Sequence, residues 1–227
     1  PSFSLNYQEQ TMIERNDEIK KLIDEFVSKV RVYAPFDRYE NIKEMVDHTI
    51  IRKGFLSMTW KERLKLFTQC KVGRSYGDEI ITLNSKYTLF HEMLHSITTV
   101  GYRTNYNTGK VEHNFYTGFY QYTEIENAQG ETIEEYRFGR GLNEGMTEKI
   151  MKDIFGKAES YNYERKICDV LELIIGEKTL RHAYFKADLE SVMNKLASTE
   201  EEKEEFKRFI KYLDYVNSVN NNFNPTC

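Results

Sequence analysis

The residues best equipped for chemistry are His91-Glu92-Met93-Leu94-His95, carried in the run Tyr87-Thr88-Leu89-Phe90-His91-Glu92-Met93-Leu94-His95-Ser96-Ile97. Positions i and i+4 of an α-helix share one face, so His91 and His95 can close on a single divalent cation with Glu92 beside it. Neutral imidazole is a good ligand for zinc, and a carboxylate next to a zinc-bound water can take its proton as the water attacks a carbonyl. The run also predicts the helix this geometry needs. Leu89, Phe90, Met93, Leu94 and Ile97 recur at helical spacing, and no Pro or Gly intervenes before Gly101. The plainer alternative is a half-buried helix whose histidines are satisfied by hydrogen bonds; a third ligand decides between the two.

Catalytic zinc commonly takes three protein ligands and leaves a fourth place for water, and two His with one Glu form a recognised set. A candidate lies in Gly141-Leu142-Asn143-Glu144-Gly145-Met146-Thr147-Glu148-Lys149-Ile150. Together, His91-Glu92-x-x-His95 and Asn143-Glu144-Gly145 resemble the motifs of the gluzincin metallopeptidases, the group of the thermolysin-like proteases and related aminopeptidases. The resemblance rests on these two short stretches, and the interval between them is longer than is usual in that group. It implies one catalytic Zn²⁺ held by His91, His95 and Glu144, with Glu92 as general base and a peptide or protein as substrate. Asn143 and Gly145 then frame the third ligand.

On the residues alone Glu144 has rivals: Glu148 one turn on, and Glu124, Glu126, Glu134 and Glu135 between the motifs. Glu148 is alternatively a group hydrogen-bonded to a ligand imidazole. The resemblance further implies a Tyr or His, after the third ligand, that steadies the oxyanion. Tyr161, Tyr163, His182 and Tyr184 are available, and Tyr184 and His182, in Arg181-His182-Ala183-Tyr184-Phe185, are preferred. No G-x-M-E-N stretch of the exopeptidase branch is present, which favours an endopeptidase.

The elements that must position these groups follow from periodicity. Residues 7–32 read as an amphipathic helix ended by Ala34-Pro35, residues 37–52 as a second, and Thr59 caps a third that contains Trp60 and Phe67. Residues 73–77 look like a turn and residues 78–84 like a short strand, against which an extended peptide could pair. Between the motifs, the aromatic-rich residues 113–126, a turn at 127–130 and residues 131–138 predict an inserted β-hairpin, either a wall or flap over substrate or a cover for the helix core. Helices are expected to follow through residues 146–155, 163–175, 180–196 and 200–219. This is an α+β, predominantly helical chain, read as one zincin-like catalytic domain over residues 1–227. Its parts are an N-terminal helical part at 1–72, the metal-binding part at 73–156 and a C-terminal helical part at 157–227.

With 227 residues, 40% hydrophobic and rich in Tyr and Phe, the chain is globular rather than disordered. A net charge of −4 with both signs interspersed offers no nucleic-acid surface. Cys70, Cys168 and Cys227 lack C-x-x-C spacing and read as reduced thiols, neither disulfide framework nor zinc site. No apolar run is long enough to cross a bilayer and no signal-like segment opens the chain, which favours the cytoplasm. The chain begins at Pro1, so secretion after removal of an upstream signal stays open. His48 reads as an ordinary helix residue and His113 as a minor rival ligand. The competing functional class is a non-proteolytic zincin-like or helical interaction module, and stoichiometric zinc separates the catalytic reading from a module whose histidines merely pack.

Overall fold

The computed structural model describes residues 17–34, 50–53, 73–76, 79–82, 86–107, 109–158 and 160–223. Among them are helices α1 (Asp17–Val30), α2 (Lys86–Ile97), α3 (Arg140–Phe155), α4 (Asn162–Ile175), α5 (Glu177–Phe185), α6 (Leu189–Leu196) and α7 (Glu200–Phe223). Strands β1 (Ile50–Lys53), β2 (Gly73–Tyr76) and β3 (Glu79–Thr82) form one sheet, and β4 (Thr99–Asn107), β5 (Lys110–Thr117), β6 (Tyr120–Asn127) and β7 (Thr132–Phe138) another. The fold is α+β and mostly helical.

Helix α2 forms where the apolar spacing requires it. Leu89, Phe90, Met93, Leu94 and Ile97 are all sealed from solvent, each burial contributing about 1.5–3 kcal/mol. The ring of Phe90 lies 5.6 Å from Phe26 of α1 and 4.6 Å from Phe155 of α3, so one aromatic cluster ties three helices together. The last turn of α2 leaves carbonyls that the helix cannot pair. Threonines satisfy them: Thr98 Oγ1 donates to Leu94 O at 3.0 Å, Thr99 Oγ1 to His95 O at 3.0 Å and Thr117 Oγ1 to His95 O at 2.9 Å. The third of these comes from β5 and fixes the second sheet to the end of the motif helix.

Helix α3 runs through the centre of the described fold, with Leu142, Met146, Ile150 and Met151 in the core. Its start is capped from far along the chain: Asp214 of α7 accepts from Gly139 N at 2.8 Å and Gly141 N at 2.7 Å. Gly145 lets α4 approach closely, since a Cβ there would sit 2.5 Å from the Glu164 backbone. Lys149 then clamps α3 to α4 through Asp169 at 3.0 Å and Glu172 at 3.2 Å. Helix α4 buries Cys168 and Leu171 but leaves Val170, Leu173 and Ile174 exposed, so only part of its apolar pattern serves the core.

The sheets differ from the sequence reading in three places. Residues 50–52, expected in a helix, begin β1, and residues 73–76, expected as a turn, are β2. In the first sheet β3 is central, parallel to β1 and antiparallel to β2, so the strand expected at 78–84 is interior and β2 is an edge among the described residues. The inserted hairpin is instead a four-stranded antiparallel meander in the order β4-β5-β6-β7. The aromatic stretch read as one strand is broken at Gly118, whose φ of 52° suits the first central position of a two-residue hairpin. The turn after β6 falls where expected, with Asn127 Oδ1 accepting from the amides of Gln129 and Glu131. Elements expected in 1–16, 35–49 and 54–72, with His48, Thr59 and Cys70, lie outside the described residues, as does the tail 224–227 with Cys227. No helix among the described residues is long and apolar enough to cross a membrane.

Candidate metal centre

Helix α2 buries one face in the core and turns His91, Glu92 and His95 to its half-buried side, opposite α3. There Nε2 of His91 and Nε2 of His95 lie 3.0 Å apart, and Oε2 of Glu144 is 3.1 Å from the first and 3.3 Å from the second. A tetrahedral zinc with ligands at about 2.0–2.1 Å sets its ligand atoms roughly 3.3 Å apart, so the donors have both the chemistry and the spacing for that ion. Among the described residues this is the one set of three such side chains whose ligand atoms converge. Each of the three side chains keeps only 12–13% of its surface exposed.

Each imidazole is oriented through its other nitrogen. Nδ1 of His91 lies 2.8 Å from Oε1 of Glu148, whose second oxygen accepts from Ser160 N at 3.3 Å. Glu148 therefore holds a candidate ligand rather than competing with Glu144, the alternative role its spacing allowed. The side-chain nitrogen of Asn143 donates to Nδ1 of His95 at 3.2 Å, which leaves the proton of that neutral imidazole on Nε2, and Oδ1 of Asn143 accepts from Phe119 N at 2.9 Å. The turn at Gly118 and Phe119 thus braces His95 twice, through Asn143 and through Thr117.

The electrostatics favour positive charge between the acids. Burial would lower the His91 pKa, but hydrogen bonds to Glu144 and Glu148 and the charges of Glu144 and Glu92 together raise it to about 10. Burial would raise Glu144, yet the charge of His95, hydrogen bonds from both imidazoles and the charge of His91 hold it well below the usual carboxylate range.

The expected donors fall elsewhere. Tyr184 has no exposed surface, its hydroxyl is 2.7 Å from Thr147 Oγ1 and its ring packs against Phe119 and Phe185. It is sealed in the core, with its hydroxyl committed to Thr147. His182 is exposed in the last turn of α5, and Tyr163 is exposed on α4. The fourth candidate, Tyr161, is the one beside the cluster: its ring stacks at 6.1 Å on His91. The charge of Glu144, then burial, raises its phenol well above the usual range, so it remains a donor. Tyr161 sits at φ 52° and ψ 38°, a left-handed conformation that a non-glycine residue adopts at some cost. Periodicity could not have ranked it first, because its place depends on that backbone and on the approach of α4 at Gly145.

Sequence reasoning also missed Arg140. It is one helical turn before Glu144, and its Nε is 3.9 Å from Glu144 Oε1. Same-face spacing on the ligand helix was the signal available. His113 stands on β5 with Nε2 3.4 Å from Glu126, and Glu124, Glu134 and Glu135 are on the same meander, none of them in the converging set.

No protein-family model, curated protein or solved structure matches this chain.

Proposed function

We propose that this chain is a zinc metallopeptidase of gluzincin type, an endopeptidase that holds one Zn²⁺ on His91, His95 and Glu144. One observation carries the reading: two imidazole nitrogens and a carboxylate oxygen, from residues 49 and 53 positions apart, converge within 3.0–3.3 Å. Bound there, the ion supplies a Lewis acid and a water of lowered pKa.

The protein's own groups do the rest. Glu92, on the same half-buried side of α2, accepts the proton of the attacking water and delivers it to the leaving amine. The phenol of Tyr161, kept protonated by its acidic surroundings, donates to the oxygen on which negative charge develops. Glu148 holds the His91 imidazole by accepting from its Nδ1, and Asn143 would turn its amide oxygen to Nδ1 of His95 when Nε2 takes the ion. Strand β2 packs against α2 and, among the described residues, pairs only with β3, so an extended peptide could add on its other side.

Elemental analysis and peptide cleavage test the reading together. Wild type should carry one zinc per chain, and His91→Ala and Glu144→Ala should lose it. Glu92→Gln should keep the zinc and lose about 10²–10⁴ in turnover. A peptide library in N-terminally blocked and free forms should show that blocked peptides are cleaved. Absence of zinc from the wild type, or unchanged cleavage by Glu92→Gln, would falsify the proposal.

A further inference from the structure

Arg140 opens α3, so helical spacing sets it over Glu144 at the rim of the cluster. Its side chain is 41% exposed, and the nearest carboxylate oxygen, Glu144 Oε1, is 3.9 Å away, outside hydrogen-bond distance. The guanidinium also acts on two phenols. Tyr161, raised by Glu144 and by burial, and Tyr120, raised chiefly by burial, are both drawn back by its charge. Arg140 is therefore a half-exposed cation one helical turn from Glu144, close enough for its charge to reach Tyr161 just before α4 and Tyr120 at the start of β6.

Glu144 and Asp214, the acids that interact with it directly, are both committed elsewhere. Glu144 directs Oε2 at the two imidazoles, and Asp214 accepts the amides of Gly139 and Gly141. Among the described residues the guanidinium makes no side-chain hydrogen bond. A planar fork of five N–H donors, half exposed beside the converging ligands, matches a carboxylate in shape and charge. Adjacent residues of a peptide lie about 3.8 Å apart, so a carboxylate next to the scissile bond falls within reach of a guanidinium already this close to a ligand oxygen.

We infer that Arg140 determines specificity, selecting peptides that carry a carboxylate beside the scissile bond, whether an acidic side chain or the free chain terminus. This rests on the metallopeptidase reading above. A charge-assisted forked contact of this kind is worth about 10- to 100-fold in discrimination.

The test compares kcat/KM for peptide pairs that differ by Glu against Gln on either side of the cleaved bond, and for pairs ending in a free acid or an amide. The first set reports a side chain, the second a terminus. Wild type should prefer one set of acidic peptides by about 10- to 100-fold. Arg140→Ala should bring that ratio close to one, Arg140→Lys should keep part of it, and Arg140→Glu should turn the preference towards Lys-containing peptides. Arg137→Ala, on exposed β7, should leave the ratio as in wild type. No acid preference in wild type, the full preference surviving in Arg140→Ala, or an equal loss in Arg137→Ala would each overturn the inference.

Binding of the same acidic and neutral peptides to zinc-loaded Glu92→Gln protein, measured by calorimetry, asks the question without turnover. Arg140-dependent binding of acidic peptides, together with no cleavage of them by the zinc-loaded wild type, would uphold the role of Arg140 and refute the hydrolase. Hydrolysis without acid preference would do the reverse.

Discussion

Gly118 is the place where the fold and the candidate centre are joined most tightly. A Cβ built on it would lie 2.1 Å from Oδ1 of Asn143 and 2.6 Å from the ring of Tyr184, and its φ is +52°. Gly118→Ala therefore carries two costs. The left-handed backbone is about 1–2 kcal/mol worse for an L-residue, and forcing a methyl into a packed site costs about 1–3 kcal/mol more. Gly109 separates them, since its φ is +77° and a Cβ there would meet nothing within 4 Å. At about 2–4 °C per kcal/mol for a chain of this size, Gly109→Ala should lower Tm by about 2–8 °C, and Gly118→Ala by about 4–20 °C.

The two variants should also differ in zinc binding. Relief of the contact pushes Asn143 away from Phe119 N and from Nδ1 of His95. Loss of such support typically weakens metal binding by about 10–100-fold. Zinc affinity by chelator competition, alongside thermal melts with and without zinc, measures both effects. Equal melting temperatures and equal zinc affinities for the two variants would refute the argument that the hairpin turn is wedged against the ligand frame.

Tyr161→Phe should leave zinc content unchanged and cut kcat by about 10²–10³, whereas Tyr184→Phe should act on stability, by about 1–3 kcal/mol for the lost bond to Thr147; the reverse pattern would return the donor role to Tyr184. Zinc must displace the proton that His91 holds up to about pH 10, so between pH 6.5 and 9 affinity should climb about tenfold per pH unit with about one proton released. An unperturbed imidazole would titrate near pH 6.5, and a plateau in zinc affinity above about pH 7 would show that the acids do not hold His91 charged.

The motif helix was legible because its information is local. Leu89, Phe90, Met93, Leu94 and Ile97 define the buried face of α2, and His91 and His95 follow from the same period. Asn143-Glu144-Gly145 was legible as a short pattern whose physical content appears only in three dimensions. Glu144 meets the imidazoles, Asn143 reaches His95 and Gly145 admits the backbone of α4. Strand β4 was not legible, because Gly101, Asn105 and Asn107 dilute its β propensity and its pairing with β5 supplies the missing stability. The break at Gly118 was hidden among aromatic residues that suit strands on both of its sides.

What escaped the sequence most completely is the set of contacts between distant segments that decide where local elements end. Asp214 caps α3 from 75 positions away, and Thr117 closes the last turn of α2 from 22 positions away. No window of periodicity contains both partners of such a bond. These contacts change the meaning of the segment between the two motifs. A flap over substrate would be joined loosely at its base, but this meander plants Thr117 on the carbonyl of His95 and Phe119 on the side chain of Asn143. Both bonds end on residues that carry or orient a candidate ligand. The inserted strands therefore act as a brace that sets the distance between α2 and α3, the distance on which the convergence of His91, His95 and Glu144 depends.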